Sequence, residues 1–245
     1  LHEFLPKREE LMVEIAVMEA KGQKGAELEE KKLLLRRVEI LHEFNPMLGH
    51  RGCRLAITYP EIYEMQVRAI FEAIYQLRKE GVKVEPEIMI PIIMNENELR
   101  LIVFGKKIEG KHIRGLVDIE REVRDAYKSR PAPFKIGTMV ELPAAALGSD
   151  ELARYAQFFS FGTNDLTQMT MGLSRDDFNS FMPDYTQFDL LEGNPFQILN
   201  PQVKELISIS VRRGRMTRPD LEVGLCGEHG AIPDNVRFCM EAGLA

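Results

Sequence analysis

The sequence predicts an α/β domain built on a parallel sheet. Short apolar runs of strand length recur along the chain, segments of helical period separate them, and hairpin dipeptides are missing between them. Length agrees. At 245 residues, 44% hydrophobic and 29% charged, the chain can bury one substantial core, and an α/β barrel is about this long. One domain over residues 1–245 is the default.

Taken in order, the start LHEFLP reads as the end of a strand entering a loop, and Leu1 is not Met, so the chain is expected to begin in mid-domain. Apolar residues at helical spacing predict helices from Pro6 to about Ala20 and from about Ala26 to His42, broken near Gly22 to Gly25. The turn-rich segment Asn45 to Arg54 leads into the apolar run Leu55 to Thr58, which reads as a loop attached to a strand. Pro60 suits a first helical turn and opens a long helix through Leu77. Glu87 to Ile93 is a nearly continuous apolar run, as expected of a strand covered on both faces, and a helix follows from Glu96. Further strands are expected at Lys135 to Glu141, Phe158 to Phe161 and Glu222 to Cys226, and helices at Gln202 to Arg213 and Asn235 to Ala242. Residues 176–200 lack any period and read as a long loop near the functional end. That makes about five strands against the eight of a closed barrel, and the pattern alone leaves barrel and doubly wound sheet both open.

A net charge of -6 and a pI near 5.6 offer no basic field for a phosphate backbone, which argues against nucleic acid as a partner. The three cysteines, Cys53, Cys226 and Cys239, show no CxxC pairing, so neither a disulfide framework nor a structural zinc is indicated, and a reducing, cytoplasmic setting fits. No apolar run approaches the roughly 18–20 residues that span a bilayer.

Glu141 and Asp165 each follow an apolar strand. In a parallel barrel the C-terminal strand ends converge on one mouth, and two carboxylates there suit Mg²⁺, which keeps places for water and substrate oxygens. Spacing equally allows Glu141 to pair with an Arg and Asp165 to cap the next helix. Gly162, Thr163 and Asn164 supply close backbone approach and neutral hydrogen bonds, although such residues also favour ordinary strand-to-helix turns. In the basic loop, Arg51 is preferred over Arg54 as the phosphoryl-binding residue, Arg offering a permanent charge and a planar fork of donors. Cys226 beside His229 invites a nucleophile, but inert packing is the better expectation, since buried thiols are usually unreactive. Glu228 and His229 suit either a support role around the mouth or a purely structural one. Met169 to Met171 reads as core filler, and Arg212, Arg213 and Arg215 as a helix end complementing its dipole.

GTMVELP at 137–143 and FFSFGTNDLTQMT at 158–170 resemble the phosphoenolpyruvate-utilising enzyme family. LHEF at 1–4 and 41–44, NPMLGHRGCRLAITYPEI at 45–62, GLSRDD at 172–177 and LCGEHG at 225–230 extend the similarity over essentially the whole chain. They also set it apart from the phosphoenolpyruvate synthase and phosphotransferase-system enzyme I branches. The resemblance implies a (β/α)₈ TIM-type barrel, incomplete here, whose first two strands would precede Leu1 and whose last would follow Leu244. It implies binding of pyruvate or phosphoenolpyruvate with Mg²⁺, the metal on Glu141 and Asp165. Substrate would contact Glu141, Gly162, Thr163, Asn164 and Asp165, and Arg51 would stabilise the phosphoryl group. A phosphohistidine domain and an ATP-binding domain of the same enzyme are the implied partners, outside residues 1–245, and a homodimer the implied assembly. The family's general acid/base Cys is expected beyond Ala245, so none of the three cysteines takes that role, and Ala144 stands where Arg is expected. Alone, such a portion is not expected to turn over. A non-catalytic alternative, in which an incomplete barrel serves as a dimerisation module, makes Glu141 and Asp165 mere salt-bridge formers.

Overall fold

A computed structural model describes residues 5–42 and 45–244. The strand end expected in LHEF at 1–4 lies outside the described residues, as does part of its repeat at 41–44. The chain divides into two compact units, Leu1–Arg51 and Gly52–Ala245.

The first unit is a helix pair, α1 (Arg8–Ala20) and α2 (Ala26–Leu41), much as the spacing predicts. Leu11 and Ile15 of α1 and Leu28 and Val38 of α2 are buried. Lys31–Glu14 at 2.7 Å and Lys32–Glu19 at 2.8 Å tie the two helices on their wet side. Asn45 then accepts from the backbone N–H groups of Met47 and Leu48, closing a single 3₁₀ turn over Pro46–Leu48.

The second unit opens with α3 (Cys53–Thr58) and α4 (Pro60–Lys79). The strand expected over Leu55 to Thr58 is therefore a helical turn. A four-residue apolar run does not distinguish the two by itself. What decides is the spacing of Cys53 and Ala56, three apart and both buried, with the Thr58 hydroxyl bonded back to the Arg54 carbonyl at 2.8 Å.

Next come β1 (Glu87–Ile90), α5 (Glu96–Phe104), β2 (Gly105–Ile108), β3 (Lys111–Arg114) and α6 (Leu116–Ala126). β1 stops three residues short of the expected Ile93 because Pro91 has no N–H to donate to a ladder. α5 starts on a capping box in which Asn95 accepts from the backbone of Glu98 while Glu98 accepts from that of Asn95. β2 and β3 form an antiparallel hairpin about Glu109-Gly110, contrary to the expectation of none. It escapes a pattern search because Ile113 is its one buried side chain, leaving no alternation to read.

The remainder runs β4 (Lys135–Val140), α7 (Pro143–Leu147), α8 (Ser149–Leu152), β5 (Phe158–Gly162), α9 (Thr163–Met171), α10 (Met182–Gln187), α11 (Pro201–Thr217), β6 (Glu222–Cys226) and α12 (Pro233–Glu241). The stretch expected to be structureless holds α10 and a small core of its own, in which Phe178 meets Phe196 at 5.0 Å between ring centroids. Arg213 and Arg215 reach beyond α11 to the carbonyls of Leu147 and Gly243.

β1, β4, β5 and β6 make one four-stranded parallel sheet in the order β1-β4-β5-β6, open at both edges. Ile88, Ile90, Ile136, Val140, Phe159, Phe161 and Val223 enter the main core, together with Phe71, Leu99, Ile119, Leu152, Leu166 and Ile207 from the helices. The register pairs Gly137 with Phe158 and Phe158 with Glu222, so Glu87, Met89, Gly137, Phe158, Ser160, Glu222 and Gly224 belong to the opposite face. That face lines a cavity of about 470 Å³, with Met89 39% exposed. Among the described residues no helix is long and apolar enough to cross a membrane.

Candidate metal and substrate site

Three adjacent strands end side by side at the C-terminal edge of the sheet, because the ladder pairs Val140 with Phe161 and Gly162 with Cys226. β4 delivers Glu141 one residue past its end, β5 delivers Gly162 and the first turn of α9, and β6 delivers Cys226.

Glu141 is 4% exposed. Its Oε1 accepts from the Ile92 N–H at 2.6 Å, which fixes the carboxylate against the loop after β1. Ile92 has φ 56°, a left-handed conformation costly for a β-branched residue, so the charged acceptor helps to hold strained backbone at the edge. The Ile92 carbonyl takes the Cys53 thiol at 3.2 Å, and burial pushes that thiol up to about 12, so Cys53 is structural. On the other side of Glu141, a Cβ built on Gly162 would stand 2.6 Å from Oε2 and 2.7 Å from the end of Met139. Glycine is required there by the close approach of Glu141 and Met139.

α9 begins at Thr163 with Gly162 as its N-cap and no side-chain cap, so Asp165 is the third helical residue and not the cap. Half-buried, it accepts from Gln168 Nε2 at 3.3 Å, while Gln168 Oε1 takes the Arg175 N–H at 2.8 Å. That second bond fixes which way the Gln168 amide points. Oxygen donors, two of them carboxylates on neighbouring strand ends, match a hard cation such as Mg²⁺ in kind.

Thr163 is fully buried and Asn164 half-buried. The turn after β6 lies over both: an added Cβ on Gly227, at φ 128°, would come within 2.5 Å of Thr163 Oγ1. The Glu228 N–H donates to Asn164 Oδ1 at 3.4 Å, which turns the amide NH₂ of Asn164 away from that turn. Glu228 also pairs with Arg175. His229, fully buried, stands 2.8 Å from Thr163 Oγ1 through Nδ1 and 2.9 Å from the Pro195 carbonyl through Nε2. Burial holds its pKa below the usual 6.5, against the opposing pull of the Pro195 carbonyl.

The sheet thus brings Glu141, Gly162, Thr163, Asn164 and Asp165 to one edge. Arg51 is the last residue of the first unit and is half-buried, its N–H bonded to the Gly49 carbonyl at 3.1 Å. Arg54 falls in the first turn of α3. The Cys226 thiol points to the Phe161 carbonyl, 3.5 Å away. Unlike the buried Cys53 and Cys239, Cys226 is half-exposed, at the mouth end of its strand and in register with Gly162.

The chain belongs to the family described as PEP-utilising enzyme, PEP-binding domain, whose profile matches residues 5–245. It is 61% identical over its whole length to "Pyruvate, phosphate dikinase" of Treponema pallidum, covering 27% of that protein. It is 49% identical to the protein of the same name from Entamoeba histolytica, again over the whole chain and 27% of the relative. A third, from Clostridium symbiosum, is 46% identical, with 26% of its length covered. The chain therefore spans about a quarter of the relatives it matches.

Proposed function

We propose that this chain is the pyruvate- and phosphoenolpyruvate-binding part of a pyruvate, phosphate dikinase. In that enzyme a phosphoryl group passes between the substrate and a phosphohistidine on another domain. The whole reaction would convert ATP, phosphate and pyruvate to AMP, diphosphate and phosphoenolpyruvate, with a separate ATP-binding domain charging the histidine. The observation that carries this is the shared edge: Glu141, Gly162 to Asp165 and Cys226 on three adjacent parallel strands, with glycine where Glu141 needs room.

The sheet is proposed to be an arc of a (β/α)₈ barrel. Its order β1-β4-β5-β6 advances in one direction without the reversal that marks a doubly wound sheet, and residues of its second face line a cavity. Met, Gly and Ser on that face are what a barrel interior would enclose.

Glu141 and Asp165 would hold Mg²⁺. When bound, the ion would supply positive charge at the substrate's carboxylate and carbonyl oxygens. Asn164, its NH₂ turned from the Glu228 N–H, would donate to the substrate carboxylate, and Arg51 would steady the phosphoryl group. None of the three cysteines is assigned the general acid/base role. The acid/base residue that the resemblance implies would take a proton from the methyl carbon of pyruvate. The C–H electron pair becomes the C=C bond and the enolate oxygen attacks phosphorus, while the N–P bond breaks with its electron pair returning to histidine. The homodimer implied by the resemblance would be read by light scattering on the whole protein.

Oxalate mimics the enolate of pyruvate, so calorimetric titration of the chain with oxalate, with and without Mg²⁺, tests this. Binding that needs Mg²⁺ and is lost in Glu141→Gln and Asp165→Asn supports the site. Metal dependence unchanged in both variants removes it and leaves the non-catalytic module.

A further inference from the structure

We propose that His229 is a positioning residue that fixes the Thr163 hydroxyl, and through it the substrate turn, to the loop at Pro195. This rests on the substrate site proposed above.

The hydrogen-bond inventory assigns the protons. A carbonyl only accepts, so the ring nitrogen 2.9 Å from the Pro195 oxygen, Nε2, carries the imidazole proton. Nδ1 is then an acceptor, and its neighbour at 2.8 Å, Thr163 Oγ1, must donate. Thr163 has one hydroxyl proton and a second acceptor in reach, the Cys226 carbonyl at 3.3 Å. The half-ångström difference favours His229. With its proton committed, the hydroxyl presents lone pairs in its remaining directions. Thr163 is thereby held as an acceptor beside Asn164, whose amide is held as a donor.

The Pro195 end is itself anchored. Buried Asn235 accepts from the Leu199 N–H at 3.1 Å and donates to the Gln197 carbonyl at 2.6 Å and to the His229 carbonyl at 3.1 Å. The imidazole is thus pinned between the loop and the first turn of α9. A protonated ring would have to donate from Nδ1, which would turn the Thr163 proton toward the Cys226 carbonyl.

The test uses the full 245-residue chain, with ring ¹⁵N shifts of His229 and calorimetric oxalate titration in Mg²⁺. The expected spectrum is that of a neutral ring protonated at Nε2, with Nδ1 shifting in Thr163→Val as its donor is lost. His229→Leu is expected to weaken oxalate binding about tenfold. His229→Gln, which keeps one acceptor and one donor, should recover to within about threefold. In the Thr163→Val background, His229→Leu should cost little more, because both changes break one link. An Nδ1-protonated ring overturns the proposal whatever the leucine variant does to folding. So do equal losses in His229→Gln and His229→Leu, or additive losses in the double variant. A chain that ignores oxalate yet shows the Nε2 proton and the response to Thr163→Val sinks the functional reading and supports the His229–Thr163 link.

Discussion

The two faces of the parallel sheet are made of different residues for different ends. One face carries Ile90, Val140, Phe159 and Phe161, all at most 1% exposed and locked into the helix layer. The other carries Met89, Gly137, Ser160 and Gly224, with the Phe158 ring close over Gly137 and charged Glu87, Lys135 and Glu222 toward its N-terminal end. Branched and aromatic bulk holds the sheet, whereas small residues leave room. The edge where both faces end is where Glu141, Gly162 and Cys226 collect, so stability and chemistry are separated by strand alternation within the same few residues.

The largest effect should come from the packed face. Phe161→Ala is expected to cost about 3–5 kcal/mol of unfolding free energy, whereas Ser160→Ala next to it should stay within about 1 kcal/mol. Denaturant titration of both variants reads this directly, and comparable losses would break the contrast.

At the edge the order reverses, with binding more sensitive than folding. Glu141→Gln should lower oxalate affinity in Mg²⁺ by about a hundredfold or more, a neutral amide replacing one of two charged ligands. Its amide oxygen still accepts from the Ile92 N–H, so the melting temperature should hold. Gly162→Ala should cost about 1–3 kcal/mol, because the Ile92 N–H holds Glu141 and leaves its carboxylate little freedom to yield to the added carbon 2.6 Å away. A melting temperature and oxalate affinity both unchanged in Gly162→Ala would show that the close approach does not matter.

Strand and helix positions were largely legible because period survives burial: Lys135–Val140, Phe158–Gly162 and Glu222–Cys226 all fall where apolar runs predict them. The failures have local causes. Leu55 to Thr58 is too short to show its helical period, and the β2–β3 hairpin buries too little to alternate. Residues Leu116, Ile119 and Val123 do keep helical spacing, and α6 was readable in them. At the site, the carboxylates and the Gly162 to Asp165 turn were visible as strand-end residues. The His229 bond to Thr163, 66 positions away, follows from sheet order, which no local pattern contains.

A smaller effect sharpens the same edge. Because burial holds the folded-state pKa of His229 below its unfolded value of about 6.5, the unfolded chain binds the extra proton. Its stabilising contribution is complete above about pH 6.5 and falls as pH drops toward the folded value, by at most about 1.4 kcal/mol per pH unit. Melts between pH 7.5 and 5.5 should show this decline, and His229→Gln should flatten it. An equal slope in the variant would assign the decline to other groups.

The smallest effect belongs to the charged end of the less covered face. Lys135 lies 2.6 Å from Glu222 and 3.3 Å from Glu87, bridging both outer strands across the sheet, yet its side chain is 40% exposed. Its raised pKa comes first from the Glu222 hydrogen bond, but solvent screens a group this open. Lys135→Met should therefore change stability little, and that small change should diminish further in high salt. A large, salt-insensitive loss would mean that this end is dry in solution. The face would then be covered there, as the barrel proposal requires of the intact enzyme but not of these residues by themselves.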